Sequence, residues 1–386
     1  MLDRIALWLC LAGGAAAWAQ GADAPATQGQ QGAVEFSGSL RNMLTSSETS
    51  VGPVRDYTLD ASRLRLEWRG QVNRALRVDF QYDNEVLAGD YLSTPQYRLE
   101  EALPRRTYWH LEDVYASGGN YVAQHRIRRA NLTFSRGETD LRAGRQRIAW
   151  GNGRFWSPLD VLNPFSPVTL DPGEREGVDA LLLEQKRSAV SRWSLAYAPT
   201  RTSSAHVLAQ WHGNASGADY SLVGGRFDGG GLLGADISTE VRGAGVRAEW
   251  AMGRPQGSAT HQRLMLGWDY AFANTLTLTA EFYYDGSGSR SAATYDVAGL
   301  AAGRRQTLAT RYLGLYAGYE LTPLWKSANW LVLNVDDSSI YLSPRLTYSL
   351  RENLDLAIGA QLHAGGARSE FGSRKHLWFA YAQWFF

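Results

Sequence analysis

The chain has 386 residues, a formal net charge of +1 and a single cysteine, Cys10. One cysteine near the N-terminus excludes disulfides and catalytic thiol chemistry in the rest of the chain. The small net charge, with arginines alternating along the chain instead of clustering, gives no support for nucleic-acid binding. Beyond the first 19 residues, no apolar run approaches the roughly 18 residues of a membrane-spanning helix.

The first 19 residues are typical of a secretory signal peptide. Arg4 precedes an apolar run over residues 5–11, and the tripeptide Ala-Trp-Ala at 17–19 matches an A-x-A cleavage pattern. Because the apolar run is too short to cross a bilayer as a helix, cleavage after Ala19 is predicted in preference to a membrane anchor. A polar, flexible leader is predicted over residues 20–32, and one barrel domain over residues 33–386.

From residue 33 onward, alternation of apolar and polar residues is the dominant pattern. In SRLRLEWR, Leu64, Leu66 and Trp68 share one parity and the charged residues share the other. Such a period of two predicts β-strands with one apolar and one polar face. The 18 predicted strands cover residues 33–43, 60–69, 75–85, 124–135, 139–149, 177–187, 191–199, 204–213, 218–227, 231–238, 240–251, 261–271, 275–285, 309–320, 330–336, 339–349, 353–363 and 375–386.

Alternation fits two architectures. A β-sandwich turns its apolar faces inward, whereas a membrane barrel turns them to lipid and encloses a polar lumen. The strand lengths suit a tilted crossing, aromatic residues recur near strand ends, and the polar faces are rich in Arg, Asp and Glu. We therefore predict an all-β fold, a transmembrane antiparallel β-barrel of about 18 strands, or of 16 if two short segments within 200–260 or near 330 are not strands.

An even number of strands places both termini on one side of the membrane, here the periplasm. The tight connections RGQVN, RGETD, KRSAV, FANT and LREN are predicted at that end. The long connections are predicted at the outer end and lie near residues 44–59, 86–122, 150–176, 286–308 and 364–374. NVDDSS at 334–339 clusters the carboxylates of a calcium site without their usual spacing, so a tight outer turn is predicted there.

The densest stretch is GRQRIAWGNGRFWSPLDVLNPFSP, residues 144–167. It lacks the Lys-Ser/Thr pair of a P-loop, and its prolines disfavour the helix that such a phosphate cradle precedes. Leu141 and Ala143 are predicted to face lipid. A β-bulge at Gly144 would change the parity and turn Arg145 and Arg147 inward, away from lipid.

We predict that the loop over residues 150–176 folds into the lumen and narrows it. In this interpretation Arg145, Arg147 and Arg154 supply positive charge at the narrowest part, and Asp160 pairs with one of them. Trp150, Phe155 and Trp156 would anchor the loop. The alternative is that the same residues only tie the loop to the barrel wall.

Further arginines of inward parity form a candidate basic ladder, and rings of arginine in a pore select for anions. They are Arg63, Arg65, Arg77, Arg142, Arg247 and Arg345. Inward carboxylates leave a second interpretation open, in which Arg–carboxylate pairs brace the wall. They are Glu67, Asp79, Asp83, Asp140, Glu249, Asp269 and Glu281. No catalytic motif, cofactor motif or metal-ligand spacing is found, so no enzyme activity, cofactor or metal is predicted.

The chain ends in HLWFAYAQWFF, with Trp384 and Phe386 on one face. This end resembles the C-terminal strand by which the assembly machinery recognises Gram-negative outer-membrane barrels, and Trp384 and Phe386 are predicted to be that signal. LRAGRQRIAWGNGRFWSPLDVLNPF and LNVDDSSIYLSPRLTYSLRENLDLAIGAQL resemble segments of porin-like outer-membrane proteins of the alginate-export type. That resemblance implies an 18-stranded barrel, monomeric in preference to trimeric, whose Arg-lined lumen passes an anionic polysaccharide.

The predicted function is an outer-membrane channel of a Gram-negative cell that passes hydrophilic, mainly anionic solutes or an anionic polysaccharide. Its expected partners are outer-membrane lipid, the assembly machinery and the solute. Two alternatives remain open. One is a lipase-like barrel enzyme that uses a serine beside His125 or His363, and the other is a plugged barrel with a structural or adhesive role. A plugged barrel would give no single-channel current.

Overall fold

The computed structural model describes residues 33–103, 107–164, 166–170, 177–201, 204–301 and 305–386. The predicted signal peptide, the cleavage after Ala19 and the leader lie outside the described residues. So do Phe165 and residues 171–176 of the loop that is predicted to enter the lumen. Within the described ranges, no helix is long and apolar enough to cross a membrane.

The described residues form nineteen strands and two short α-helices. The strands are β1 (Val34–Glu48), β2 (Asp56–Asn73), β3 (Leu76–Ala88), β4 (Glu112–Ser117), β5 (Tyr121–Arg136), β6 (Thr139–Gln146), β7 (Val178–Ser188), β8 (Ser191–Ala198), β9 (His206–Ala215), β10 (Ala218–Phe227), β11 (Gly230–Val241), β12 (Ala244–Arg254), β13 (His261–Ala271), β14 (Thr277–Asp285), β15 (Arg311–Glu320), β16 (Trp325–Asn334), β17 (Ser339–Arg351), β18 (Leu354–Ala364) and β19 (Leu377–Phe385). The helices are α1 (Pro95–Glu101), between β3 and β4, and α2 (Val297–Ala301), between β14 and β15.

All of these strands except β4 form the wall of one closed antiparallel barrel. Each wall strand pairs with the next, β3 pairs directly with β5, and β19 pairs back to β1 with Leu40 opposite Trp384. Closure removes the unpaired sheet edges that an open sheet of this size would expose. The predicted 18-strand barrel is confirmed, and the 16-strand alternative is wrong, because β9 to β12 and β16 are all present.

The additional strand, β4, lies in a segment predicted to be a long connection. It pairs with the first part of β5, residues 122–126, where Glu112 is opposite Arg126. β6 pairs with the same edge of β5 further along the chain, over residues 130–136. Its last pair is Arg145 with Ala130, and the strand ends at Gln146. β4 therefore fills the gap beside β5 that opens where the chain after β6 leaves the wall.

The two faces of the wall differ in polarity as the alternation predicts. Outward side chains are apolar and exposed, with Phe36 53%, Leu132 50% and Ile358 61% accessible. Inward residues include charged groups with almost no accessible surface, such as Asp83 at 0% and Glu249 at 1%. A soluble sandwich would show the reverse, so the polarity matches a membrane barrel.

The connections separate by length between the two ends of the barrel. Tight turns at 74–75, 137–138, 189–190 and 352–353 share one end, the turn end, with both termini of the wall, while the long connections share the loop end. This separation is as predicted. Several boundaries are wrong. β1 ends at Glu48 instead of residue 43 and β2 covers Asp56–Asn73 instead of residues 60–69, so the connection predicted near 44–59 is only seven residues long. β16 begins at Trp325 instead of residue 330, and the turn between β11 and β12 lies at 242–243, not near 239.

The C-terminal residue closes the seam between β19 and β1. The N–H of Phe386 donates to the carbonyl of Gly38 at 3.0 Å, and the N–H of Gly38 donates to the carbonyl of Phe386 at 2.8 Å. The Phe386 ring lies 6.1 Å from the ring of Phe36 and 5.0 Å from that of Trp384. The role of Trp384 and Phe386 in assembly stays a prediction.

Candidate functional site: a loop packed inside the barrel

After β6 the chain leaves the wall as a loop, whose described residues, 147–164 and 166–170, we call the constriction loop. Ile148, Trp150 and Leu159 form an apolar cluster with inward residues of β7 to β12. Phe155 and Trp156 form a second cluster with residues of β13 to β17. Phe155 and Trp156 are each 2% accessible and Leu159 1%, so the loop is packed as tightly as a protein core.

Glu249 on β12 fixes the first half of the constriction loop. Its carboxylate accepts hydrogen bonds from the backbone N–H groups of Asn152 and Gly153 and from the Ser157 hydroxyl at 2.7 Å. The N–H of Leu159 adds a longer bond of 3.3 Å. Since a buried carboxylate is costly without such donors, the wall and the loop depend on each other here.

Glu281 on β14 fixes the next residues in the same way. It accepts the backbone N–H groups of Arg154 at 2.6 Å, Phe155 at 2.7 Å and Trp156 at 3.4 Å. The Trp156 ring then stacks on Tyr283 of the same strand, with ring centroids 5.4 Å apart. Two wall carboxylates therefore hold a continuous run of loop backbone.

The Gly-Asn-Gly sequence at 151–153 makes this backbone run possible. Gly151 has φ of +109°, which residues with side chains rarely adopt, and a Cβ there would lie 2.2 Å from the Ser157 hydroxyl. The N–H groups of residues 152 and 153 then point at one carboxylate. The glycine motif is thus an anion cradle, and the anion it holds is the barrel's own Glu249.

Arg145 lies in the wall and not where the sequence placed it. The predicted bulge at Gly144 is wrong, because β6 pairs with β5 and β7 without a register shift; Gly144 instead has φ of +120°. Arg145 is 3% accessible and pairs with Asp179 through its Nε at 2.8 Å. It also donates to the carbonyls of Ile127 on β5 and of Trp109, three residues before β4.

Asp160 is buried within the constriction loop, at 2% accessible. Its carboxylate accepts the N–H of Asn163 at 3.3 Å, and its own N–H donates to the Ser157 hydroxyl at 3.0 Å. Asp160 was predicted to pair with one of Arg145, Arg147 and Arg154. Arg145 has Asp179 as its carboxylate partner instead, and the pairing with either of the other two stays a prediction. Asp160 shapes the turn that precedes Asn163, whose side chain accepts the N–H of Ile148 at 2.6 Å.

The other two loop arginines differ in accessibility. The side chain of Arg154 is exposed, although its backbone N–H is bound to Glu281. Arg147 is half-buried, and its Nε has no hydrogen-bond partner among the described residues. Arg154 is therefore the loop arginine that solutes inside the barrel can contact most directly.

The predicted ladder residues of β2, β3 and β6 fall into two groups. Arg63 is 7% accessible, and the neighbouring Arg65 contacts Asp83 through two bonds of 2.7 and 2.6 Å. Arg77 and Arg142 are each opposite Thr133 of β5 and lie nearer the turn end. Arg65 braces the wall through Asp83, as in the interpretation that pairs inward arginines with carboxylates. Arg77, in contrast, is exposed.

Arg247 and Arg345 lie on other parts of the wall. Arg247 on β12 pairs with Asp269 and with Glu281, at 3.2 Å from the latter. Arg345 on β17 has its guanidinium 5.0 Å above the ring of Trp330. The six predicted ladder arginines therefore do not form one row.

Sequence reasoning missed the residues that hold the constriction loop. It identified Glu249 and Glu281 as inward carboxylates, yet only as partners for arginines. Arg128 on β5, which contacts Asp83 at 2.9 Å and Glu85 at 3.3 Å, was also missed. Its signal is obscured because the register of β5 shifts beside Arg128, which breaks the alternation.

A metal site and a serine–histidine pair are the two catalytic arrangements relevant to the described part of the barrel. Within the described ranges, no group of three His, Cys, Asp or Glu residues is arranged to hold a metal. His212 Nδ1 lies 3.2 Å from the Ser221 hydroxyl. Asp236, the nearby acid, bonds to the serine side of this pair, whereas a catalytic triad needs the acid on the histidine.

No family model matches the chain, and no curated protein matches its sequence. Its fold is similar to those of solved outer-membrane proteins. OpdK of Pseudomonas aeruginosa gives a TM-score of 0.57 at 10% identity, over 92% of this chain and 98% of that chain. OccAB4 of Acinetobacter baumannii gives 0.58 at 8% identity, over 92% and 99%. OccK2 (OpdF) of Pseudomonas aeruginosa gives 0.55 at 11% identity, over 91% and 97%. The chain has the fold of these porin-like barrels.

Proposed function

We propose that this chain is a Gram-negative outer-membrane channel that passes small hydrophilic solutes and favours anions. The observation that carries the proposal is the constriction loop, which Glu249 and Glu281 hold inside an 18-strand barrel. The loop occupies the side of the lumen next to β7–β17. The remaining passage then runs along the inner faces of β1–β6. Arg65 and Arg128 lie there and are paired with Asp83, so the exposed Arg154 of the loop is the main source of positive charge in the proposal.

The local charge at the loop favours the passage of anions over cations, although the net charge of the chain is only +1. Glu249 and Glu281 are each 1% accessible and accept loop N–H groups, and Glu281 also pairs with Arg247, so they offer little negative potential to a solute. Arg154 extends from the same part of the loop with an exposed side chain. At a constriction, such local charge outweighs the charge of the whole protein.

The finer assignments belong to the same proposal. Export of an anionic polysaccharide of the alginate type is a second candidate function, which the sequence resemblance supports. The packed loop favours small solutes, because it reduces the free cross-section. Secretion by a signal peptide, insertion into the outer membrane and assembly through Trp384 and Phe386 complete the proposed role.

Conductance in planar bilayers tests the proposal. Under a KCl gradient, the reversal potential of the wild-type channel is expected to show higher permeability for chloride than for potassium. Arg154→Ala should lower that permeability ratio several-fold and leave the barrel folded. Arg187→Ala, an exposed arginine beside the turn at 189–190, is the matched control and should change nothing. Absence of current would favour a plugged barrel, and cation preference would refute the anion assignment.

A further inference from the structure

The outer surface of the barrel carries a polar patch on β1, β2, β3 and β5. Residues opposite each other in a sheet share a face, and the exposed Leu40 and Leu44 mark the outward face of β1. Register with that face places five polar residues outward. They are Asn42, Asp60, Ser62, Asn84 and His125, which we call the outer polar patch.

The outer polar patch lies within the height of the apolar band. Phe36 and Trp68, with ring centroids 5.1 Å apart, belong to the aromatic girdle near the turn end. Ser62 and Asp60 precede Trp68 in the sequence by six and eight residues, and they lie on its loop-end side because β2 runs from the loop end to the turn end. At about 3.3 Å per residue and a tilt of about 40°, they lie roughly 15–20 Å above the girdle. An apolar band is about 25 Å tall, so both residues fall inside it.

The opposite side of the barrel shows what this band normally contains. Leu195 on β8, Leu266 on β13 and Leu315 on β15 are outward residues with 46%, 48% and 49% of their surface accessible. Lipid tails satisfy such side chains. Lipid tails cannot donate a hydrogen bond to a carboxylate. A carboxylate is therefore costly on a lipid-facing wall and commonly marks a functional contact.

The hydrogen bonds of the patch are incomplete. The Asn42 side chain donates to Asp60 Oδ1 at 2.6 Å and to the Ser62 hydroxyl at 2.8 Å. Within the described residues, the second oxygen of Asp60 accepts no hydrogen bond. The ring nitrogens of His125 likewise have no partner there. Its ring lies 6.0 Å from that of Tyr82 and 6.2 Å from that of Tyr115, whose hydroxyl donates to Asn84 at 3.1 Å. One acceptor and one donor group thus remain available at the barrel surface.

We infer that the outer polar patch is the contact surface between two copies of this chain, related by a two-fold axis along the membrane normal. Asp60 on β2 and His125 on β5 lie on opposite sides of β3. With strands about 4.8 Å apart and tilted about 40°, the two groups lie within about 5 Å of the same height. A two-fold rotation about β3 therefore brings Asp60 of each copy to His125 of the other.

The inference rests on the proposed outer-membrane location and not on the anion selectivity. It differs from the monomer that the sequence resemblance implies. Self-association fits better than contact with lipid, because one surface supplies both the acceptor and its complementary donor. It also buries the exposed Val86, which lies between them on β3, against the same residue of the second copy.

Disulfide cross-linking tests the geometry. Val86→Cys, near the axis, should give a species of twice the chain mass on mild oxidation of outer membranes. Leu195→Cys, equally outward but on the other side of the barrel, should give none. A cross-linked species whose mass is not twice that of the chain would overturn the second copy as occupant, as would a trimer. Cross-linking of Leu195→Cys to the same extent would also overturn the inference. So would the absence of a cross-link in Val86→Cys together with a monomeric wild-type protein in the measurement below.

A second measurement covers the chance that Val86→Cys distorts the contact. Native mass spectrometry of wild-type protein in nanodiscs should show a dimer. Asp60→Leu combined with Asn42→Leu should lower the association constant by about a hundredfold, because the axis repeats a charged hydrogen bond twice. The variant should keep wild-type conductance per barrel. A monomeric wild-type protein, whether or not it retains lipopolysaccharide, would overturn the inference and leave the channel proposal standing.

Discussion

The two sides of the lumen use carboxylates for different purposes. On the loop side, Glu249 and Glu281 accept backbone N–H groups of the constriction loop. On the side of β2, β3 and β5, Asp83 accepts Arg65 at 2.6 Å and Arg128 at 2.9 Å. All three carboxylates are at most 1% accessible, so burial does not distinguish them. The partner decides what each one does.

This difference separates shape from charge. A carboxylate that accepts backbone N–H groups holds a segment in place. Its removal frees that segment without changing which side chains line the passage. A carboxylate shared by two arginines neutralises them, and its removal raises the local positive charge. We therefore expect changes on the loop side to alter conductance and changes on the arginine side to alter selectivity.

The largest effect is expected from Glu281→Ala. It removes the acceptor of three backbone N–H groups, each bond to a charged group contributing about 1.5–3 kcal/mol, so docking of the loop should weaken by about 4.5–9 kcal/mol. It also removes one carboxylate partner of Arg247, which keeps Asp269. Single-channel conductance should rise several-fold, and trypsin should cleave after Arg154. Glu320→Ala, which alters an exposed glutamate near the turn end, is the control. Unchanged conductance and unchanged trypsin resistance would show that the loop is held by its apolar clusters alone.

The next effect concerns Arg145, which belongs to neither side. Arg145→Ala leaves Asp179 buried without its cation, so the free energy of unfolding should fall by about 3–5 kcal/mol. Arg145→Lys keeps the charge but loses the bidentate geometry, so its free energy of unfolding should lie between those of the wild type and Arg145→Ala. The measurement is the urea midpoint of unfolding in detergent, with Arg77→Ala as control. A change in ion selectivity at unchanged stability would return Arg145 to the pore.

Sequence alternation was sufficient to predict the barrel, because period two carries both the strand and the face of each residue. It located all 18 wall strands, and it failed where contacts are not periodic. Whether Arg145 meets Asp160 or Asp179 depends on where β6 ends, and β4 becomes a strand because that end leaves β5 unpaired. Glu249 was identified as inward, but its partner is backbone, which leaves no complementary charge in the sequence.

Thiol accessibility sharpens the same contrast at single positions. Arg154→Cys should react readily with a charged, water-soluble thiol reagent, because residue 154 is exposed inside the barrel. Arg145→Cys should react more slowly by at least about an order of magnitude, since its reaction needs local opening of a packed wall. Ala143→Cys faces outward and is the control for a lipid-covered thiol. Equal rates at 145 and 154 would contradict the separation of wall from lumen.

The smallest effect is expected at the loop-end margin of the second apolar cluster, where Phe371 packs beside Glu370. Glu370 lies in the connection between β18 and β19 and accepts the Tyr312 hydroxyl at 2.5 Å and the Asn334 amide at 2.8 Å. Burial raises the pKa of Glu370 above its usual value of 4.5, and bonds from Tyr312 and Asn334 only partly offset this. Folding of this connection therefore favours the protonated acid.

A raised pKa fixes the direction of the pH effect. The stabilisation from Glu370 is fully present below about pH 4.5 and is lost as the pH rises through the raised pKa. Amide hydrogen exchange in residues 369–374, corrected for intrinsic rates, should thus show modestly greater protection at pH 4.5 than at pH 7.5. Glu370→Gln cannot ionise and should remove the difference while keeping an amide oxygen for Tyr312. Protection that rises with pH in the wild-type protein, or a pH dependence that survives in Glu370→Gln, would show that Glu370 is not the titrating group.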